Sequence, residues 1–271
     1  MMKNNELSIY RRIGAKLYLT VLLLTLYVPI AVIIIFSFTQ TKVLGNWTGF
    51  SLGLYTNLFI GEAGHSLNMA IFNTVFIALV AAFISTLLGT MAAFGIFYTR
   101  FRIRNKVLMV NQIPIINPDI ITGVSLFLLF VALGISRGMV AVIIAHIVFC
   151  TPYVVLCVMP RLEKMPANLY EAAIDLGATP SQTFYKVIVP ELLPGMVSGF
   201  VLSLALSIDD FAVTLFTKGS DGLNTLSTYI YADARKGGLT PELRPLFTII
   251  FVILLILLVV INFRSKKHED D

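Results

Sequence analysis

The sequence predicts an all-α, polytopic membrane protein with six transmembrane helices. Three observations carry that expectation. Apolar residues fill 57% of the 271 positions and charged residues only 13%, a surplus beyond what a water-soluble chain of this size buries. The apolar residues gather into six runs, each able to supply the ~20 helical residues that cross a ~30 Å hydrocarbon layer. The charges fall in the joints between the runs.

Lipid leaves no partner for unpaired backbone amides, so each run is expected to be a helix. The first covers approximately Leu17–Phe38. No small-residue cleavage site follows it, which reads as a retained anchor rather than a signal peptide. Trp47, in the loop after it, suits an interfacial anchor. The second run, Leu67–Phe97, is long enough to tilt or to emerge from the bilayer. The third, Val107–Leu133, contains Pro114 and Pro118, which break it at membrane depth. Met139–Met159, Leu192–Phe216 and Pro245–Phe263 complete the set. With the amino terminus inside, fourteen of the 20 Lys and Arg residues fall in inner segments, so both termini are expected in the cytoplasm. Residues 1–271 then form a single transmembrane domain. Its outer loops lie at about 39–66 and 217–243, and its longest inner loop at about 160–190.

The pI of 9.2 does not point to nucleic acid, because the basic residues mark the inner joints rather than one binding stripe. Cys150 and Cys157 lie seven residues apart on one predicted helix. At ~1.5 Å per residue that is about 10 Å, too far for a disulfide.

The inner loop "RLEKMPANLYEAAIDLGATPSQTFYKVIVPELLPG" carries two short helices with readable ends. Asn168 and Glu171 form one expected capping box, and Gly177 a left-handed stop. Thr179, Pro180 and Gln182 form the second box, with proline at the first helical position. Ala172, Ala173 and Gly177 leave one side nearly free of side chains. Such a surface suits close docking, and equally suits a hairpin packed under its own bundle.

The stretch "EAAIDLGATPSQTFYKVIVP" resembles the EAA loop of permease subunits of ABC importers: EAA, three residues, Gly, nine residues, then I-x-L-P. Glu171, Ala172, Ala173, Gly177 and Pro190 fall on the pattern, while Val187 and Val189 replace its Ile and Leu. "YTRFRIRNK", "NPDIITGVSLFLLF" and "LSIDDFAVTLF" are similar to the spermidine/putrescine branch of these permeases. The resemblance covers about residues 68–216. It implies a type I importer fold in a prokaryotic plasma (inner) membrane. It further implies that Glu171, Ala172, Ala173 and Gly177 dock on a separate ATPase, present in two copies. A second permease subunit and an extracytoplasmic polyamine-binding protein would complete the assembly. No G-x-x-x-x-G-K-[ST] segment occurs in the sequence, so ATP and Mg are expected on the partner and no cofactor on this chain.

Three acids lie inside apolar runs: Asp119, Asp209 and Asp210. An ionised aspartate at mid-bilayer costs about 2.5–3.5 kcal/mol on insertion scales. Counting from Leu192, Asp209 sits about 25 Å from the inner face, so one reading is a helix end solvated by water. The other uses the helix face. Gly195, Gly199, Ser203 and Ser207 make a small-residue stripe, suited to packing on a neighbouring helix or to lining a translocation path. Asp210 falls near its centre and is the preferred path residue. Asp209 points about 100° away, where it could brace Asp210, meet a partner subunit or face a vestibule. For Asp119, "NPD" allows Asn117 to cap, Pro118 to start the helix and Asp119 to meet its positive end. A broken helix also borders transport sites. His146 reads more readily as a satisfied packing residue than as a cargo ligand, and Tyr153 as a possible cation–π surface.

The competing classes are weaker. G-x-G-D and H-E-x-x-H are absent from the sequence, which disfavours intramembrane proteases. The main alternative is a permease of the same family for another small solute, followed by a proton-coupled secondary transporter using the aspartates.

Overall fold

The structure is a computed structural model and describes residues 3–41, 45–60, 62–166, 168–220, 222–235, 240–253 and 255–256. No strand occurs among the described residues. The helices, in chain order, are α1 (Lys3–Phe36), α2 (Gly53–Ile60), α3 (Glu62–Phe97), α4 (Phe101–Ile116), α5 (Asp119–Ala132) and α6 (Met139–Lys164). There follow α7 (Leu169–Asp175), α8 (Pro180–Thr183), α9 (Val189–Asp209), α10 (Ala212–Thr217), α11 (Leu226–Ala234) and α12 (Leu243–Ile253). Among the described residues, four helical stretches are long and apolar enough to cross a membrane: Gly14–Phe36, His65–Phe97, Met139–Lys164 and Pro180–Asp209.

The third run departs from a single straight span. It divides into α4 and α5, which meet at 105° and together make a fifth candidate crossing. Pro118 explains the elbow, because its ring excludes the preceding residue from the helical region; Asn117 is extended (φ −70°, ψ 139°). The expected capping at this point is displaced by one residue. Asn117 closes α4, Pro118 stands at the N-cap of α5, and Asp119 is its first helical residue. The sixth run is helical over Leu243–Ile253, and its part from 257 onward lies outside the described residues.

Two compact units divide the chain, Met1–Asn68 with Asp233–Asp271, and Met69–Ala232. In the first, the hydroxyls of Ser37 and Tyr55 lie 2.9 Å apart and Phe38 stacks on Phe50. Buried Arg244 donates to the Thr41 carbonyl at 2.7 Å. The second unit is organised on α6. Cys150, Val154, Val155, Val158 and Leu162 are buried along it, and Ile188 and Leu192 pack beside them.

Two glycines set how closely α6 is approached. A Cβ on Gly199 would stand 3.2 Å from Val154 Cγ1, and one on Gly89 of α3 only 2.6 Å from Val154 Cβ and 3.1 Å from the Thr151 carbonyl. Gly89→Leu is therefore expected to force α3 and α6 apart at about 1–3 kcal/mol or more. A thermal unfolding midpoint equal to wild type would refute that contact.

The loop between α6 and α9 keeps one of its two expected capping boxes. Thr179 accepts from the Gln182 amide at 3.3 Å, and Gln182 Oε1 accepts from the Thr179 amide at 3.0 Å. The Asn168–Glu171 box does not form: Asn168 has φ −93°, ψ 2° and makes no side-chain cap bond. An N-cap needs extended backbone to aim its side chain at the first-turn amides. Gly177 is left-handed (φ +88°), and the Gly177 and Ala178 amides donate to the Ile174 and Ala173 carbonyls, closing α7 as expected.

From Pro180 to Asp209 the chain is one continuous helical stretch with a single wide turn at Phe184–Ile188. There the Val189 amide reaches the Phe184 carbonyl, five residues back. The wide turn precedes Pro190, whose ring would otherwise crowd the carbonyl four residues before it.

Candidate functional site

The small-residue stripe of α9 is the seam against α6. Gly195, Gly199, Ser203 and Ser207 are all buried, and Cys150 Sγ donates to the Ser203 carbonyl. A Cβ on Gly195 would meet Arg161 Cγ at 2.9 Å and the Cys157 carbonyl at 3.1 Å. Asp210, on the same side, is carried into the protein and is 7% exposed.

Asp210 stands at a break. α9 ends at Asp209, Asp210 is extended (φ −62°, ψ 132°), and α10 begins at Ala212. A short helix starting inside the protein has orphan amides that need an acceptor. The Asp210 carboxylate accepts from the Val213 amide at 3.1 Å and the Thr214 amide at 2.8 Å. It also accepts from the Thr214 hydroxyl at 2.8 Å, and His146 Nε2 lies 3.3 Å from Oδ2. The Asp210 carbonyl accepts from Ser227 Oγ at 2.6 Å. Three hydrogen bonds thus hold the charge, with the imidazole beside it.

Asp209 is exposed instead. It borders a cleft of about 540 Å³, together with Asp119 and Pro118 at the elbow, Phe149 and Tyr153 of α6, and Asp210 and Phe211 at the break. Asp119 is likewise exposed. Two acids with free carboxylate faces therefore share one space with aromatic rings, and Phe149 and Tyr153 are 5.7 Å apart in edge contact. Such an arrangement suits a flexible organic cation: carboxylates replace the hydration of its ammonium groups, and rings cover the carbon between them. Among the described residues no group of three or more His, Cys, Asp or Glu side chains could hold a metal ion.

Beyond the break, Asn73 Nδ2 donates to the Asn224 carbonyl at 3.0 Å, and Lys218 Nζ donates to Asn224 Oδ1 at 2.6 Å. Burial pushes the Lys218 ammonium below the usual lysine range.

At the other end of α9 the loop between α6 and α9 rests on aromatic rings. Phe94 lies 4.9 Å from Phe184 and 6.3 Å from Tyr170, and Tyr98 lies 5.5 Å from Tyr170. Burial, then the nearby Tyr170 and Glu171, raises the Tyr98 hydroxyl above its ordinary range. Arg104 of α4 covers the Phe97 ring at 4.9 Å and pairs with Glu163. Ala173 is buried, whereas Glu171, Ala172 and Gly177 are exposed. So is Leu176, at 89% exposure.

Leu176 and the His146–Asp210 contact escape sequence reasoning. Helical periodicity puts Leu176 on the face of Leu169 and Ala173, but α7 ends at Asp175 and the chain turns it outward. The His146 contact joins residues 64 positions apart in sequence, with no local signal.

Residues 85–267 match the family described as "Binding-protein-dependent transport system inner membrane component". The chain belongs to that family. This permease is 37% identical over 232 residues to the putrescine transport system permease protein PotI of Escherichia coli (strain K12), covering 83% of this chain and 81% of the relative. It is 36% identical over 244 residues to the spermidine/putrescine transport system permease protein PotC of Haemophilus influenzae, covering 90% and 93%. Its fold matches a bacterial ABC transporter involved in the import of the acidic polysaccharide alginate, with a TM-score of 0.67 at 16% identity over 94% and 95% of the two chains. It also matches the inward-facing MetNI methionine ABC transporter, with a TM-score of 0.57 at 23% identity over 76% and 95%. The permease is therefore a multi-pass, inner-membrane transport subunit with the type I ABC importer fold. Folds shared by transporters of such different solutes do not select a cargo.

Proposed function

We propose that this permease carries polyamines, spermidine or putrescine, into the cell as one subunit of an ATP-driven importer. The observation that carries the reading is the pair of exposed acids, Asp119 and Asp209, on one cleft with Tyr153 and Phe149. The names of the PotI and PotC relatives support the same cargo. Sparse carboxylates suit passage, because a deep well would trap the cation. High-affinity capture belongs to a separate binding protein outside the membrane.

In the assembly we propose, a second permease supplies the facing half of the path and two ATPase subunits bind ATP and Mg. Glu171, Ala172 and Gly177, with Leu176 beside them, present the docking face, while Ala173 seats the loop from beneath. ATP binding draws the loops together and opens the path outward; hydrolysis returns it inward. Both termini lie in the cytoplasm. The exposed Leu176 beside a left-handed glycine favours this coupling over a proton-driven transporter, which needs no docking face.

The test is ATP-driven uptake by the reconstituted complex at saturating liganded binding protein. Losing one carboxylate–ammonium bond removes about 1.5 kcal/mol, so Asp209→Asn should lower maximal uptake roughly tenfold with assembly intact. Unchanged uptake of both polyamines would sink the cargo-path reading.

A further inference from the structure

His146 is fully buried on α6, on the same face as Phe149 and Tyr153 of the cleft. Both ring nitrogens are engaged: Nδ1 lies 2.6 Å from Ser207 Oγ and Nε2 lies 2.9 Å from Thr214 Oγ1. The protons can be assigned by counting donors. The single hydroxyl proton of Thr214 goes to Asp210 Oδ2, since a carboxylate only accepts. Thr214 Oγ1 is then left to accept from Nε2–H, with Asp210 Oδ2 3.3 Å from the same nitrogen. Ser207 belongs to α9, before the break, and Thr214 to α10, after it. One imidazole therefore joins both arms of the broken helix to the helix that supplies the aromatic wall.

We infer that His146 is a positioning residue for cargo transfer: it pins the α9–α10 break to α6 and so fixes where Asp209 stands on the cleft wall. This rests on the cargo-path reading of the cleft. His146 itself is shielded from the cleft and touches no cargo. A packing role and a pinning role make opposite demands here. Packing alone is served by an apolar side chain of similar volume. Pinning needs a polar group that reaches Thr214, because Asp210 and Thr214 otherwise keep buried bonding capacity with no partner on α6.

The experiment measures polyamine transported per ATP hydrolysed by the reconstituted complex, with putrescine and spermidine as probes. A defect in assembly lowers transport and hydrolysis together and leaves that ratio unchanged. His146→Leu is expected to lower the ratio about fivefold, and His146→Gln, whose amide reaches the Nε2 position, to restore it to within about twofold. In an Asp209→Asn background, His146→Leu should lower it less than about twofold further, since residues acting through one another are not additive. Should His146→Leu fail to fold, Thr214→Val removes the Nε2 partner at nearly constant volume and should show the same loss and the same non-additivity. Leucine performing as well as glutamine, or an equal loss with and without Asp209, overturns the inference. Undiminished uptake by Asp209→Asn overturns the cargo-path reading, and the inference with it.

Discussion

Leu176→Asp is expected to release this permease from its ATPase and to abolish ATP-driven uptake. The side chain is 89% exposed, at the closing turn of a loop otherwise held by Tyr170, Phe184 and the Thr179 capping box. An apolar anchor buried at the centre of an interface contributes about 2–4 kcal/mol, and a carboxylate there adds the cost of burying a charge. Loss of association by roughly a hundredfold or more follows. Gly177→Trp should act in the same direction by a second route. A Cβ there meets nothing within 4 Å, but the residue is left-handed at φ +88°, a backbone state that costs other residues about 1–2 kcal/mol. Co-purification of the ATPase with each variant from detergent is the measurement. Wild-type recovery with Leu176→Asp would remove the docking assignment, because that change leaves the inward-facing core untouched.

Asp210→Ala is the second large effect, and it should appear in folding before transport. The substitution strips α10 of the acceptor for its Val213 and Thr214 amides and leaves Thr214 and His146 facing an empty site. Each buried donor left without its acceptor costs about 1–3 kcal/mol. The expected result is poor recovery of folded complex and a clearly lowered unfolding midpoint, while Asp209→Asn keeps the wild-type midpoint. Asp210→Asn should fall between, since its amide retains one acceptor oxygen. Equal midpoints for Asp210→Ala and Asp209→Asn would contradict the capping role drawn from the geometry.

These two adjacent acids show how far the sequence could be read. Run length and the placement of charge determine the membrane class directly, because lipid admits little except apolar helices. Pro118 announced the elbow, and Gly177 and the Thr179 box announced the ends of the docking loop, since each acts within a few residues. The helical wheel says less about Asp209 and Asp210. It assigned Asp210 to the small-residue stripe, and that stripe turned out to be the α6 seam. The wheel also assumes an unbroken helix, whereas the chain turns between Asp209 and Ala212. The break leaves Asp209 exposed on the cleft and buries its neighbour at the cleft's edge. Nothing local encodes the His146 partnership that holds it there. Asn168 failed as a cap although its residue type was right, because its backbone lies in a turn rather than extended.

The helical stretch from Pro180 to Asp209 contains 30 residues, a shaft of about 45 Å at 1.5 Å per residue. One end leaves the docking loop and the other carries the exposed acid. A tilt of only about 5° at the base of a rod that long sweeps its tip through about 4 Å, simple trigonometry on helix rise. That travel exceeds the length of a hydrogen bond. On the proposed cargo path, leverage of this size would let a small push on the hairpin make or release a grip on a passing ammonium group, with no part of the shaft needing to unwind.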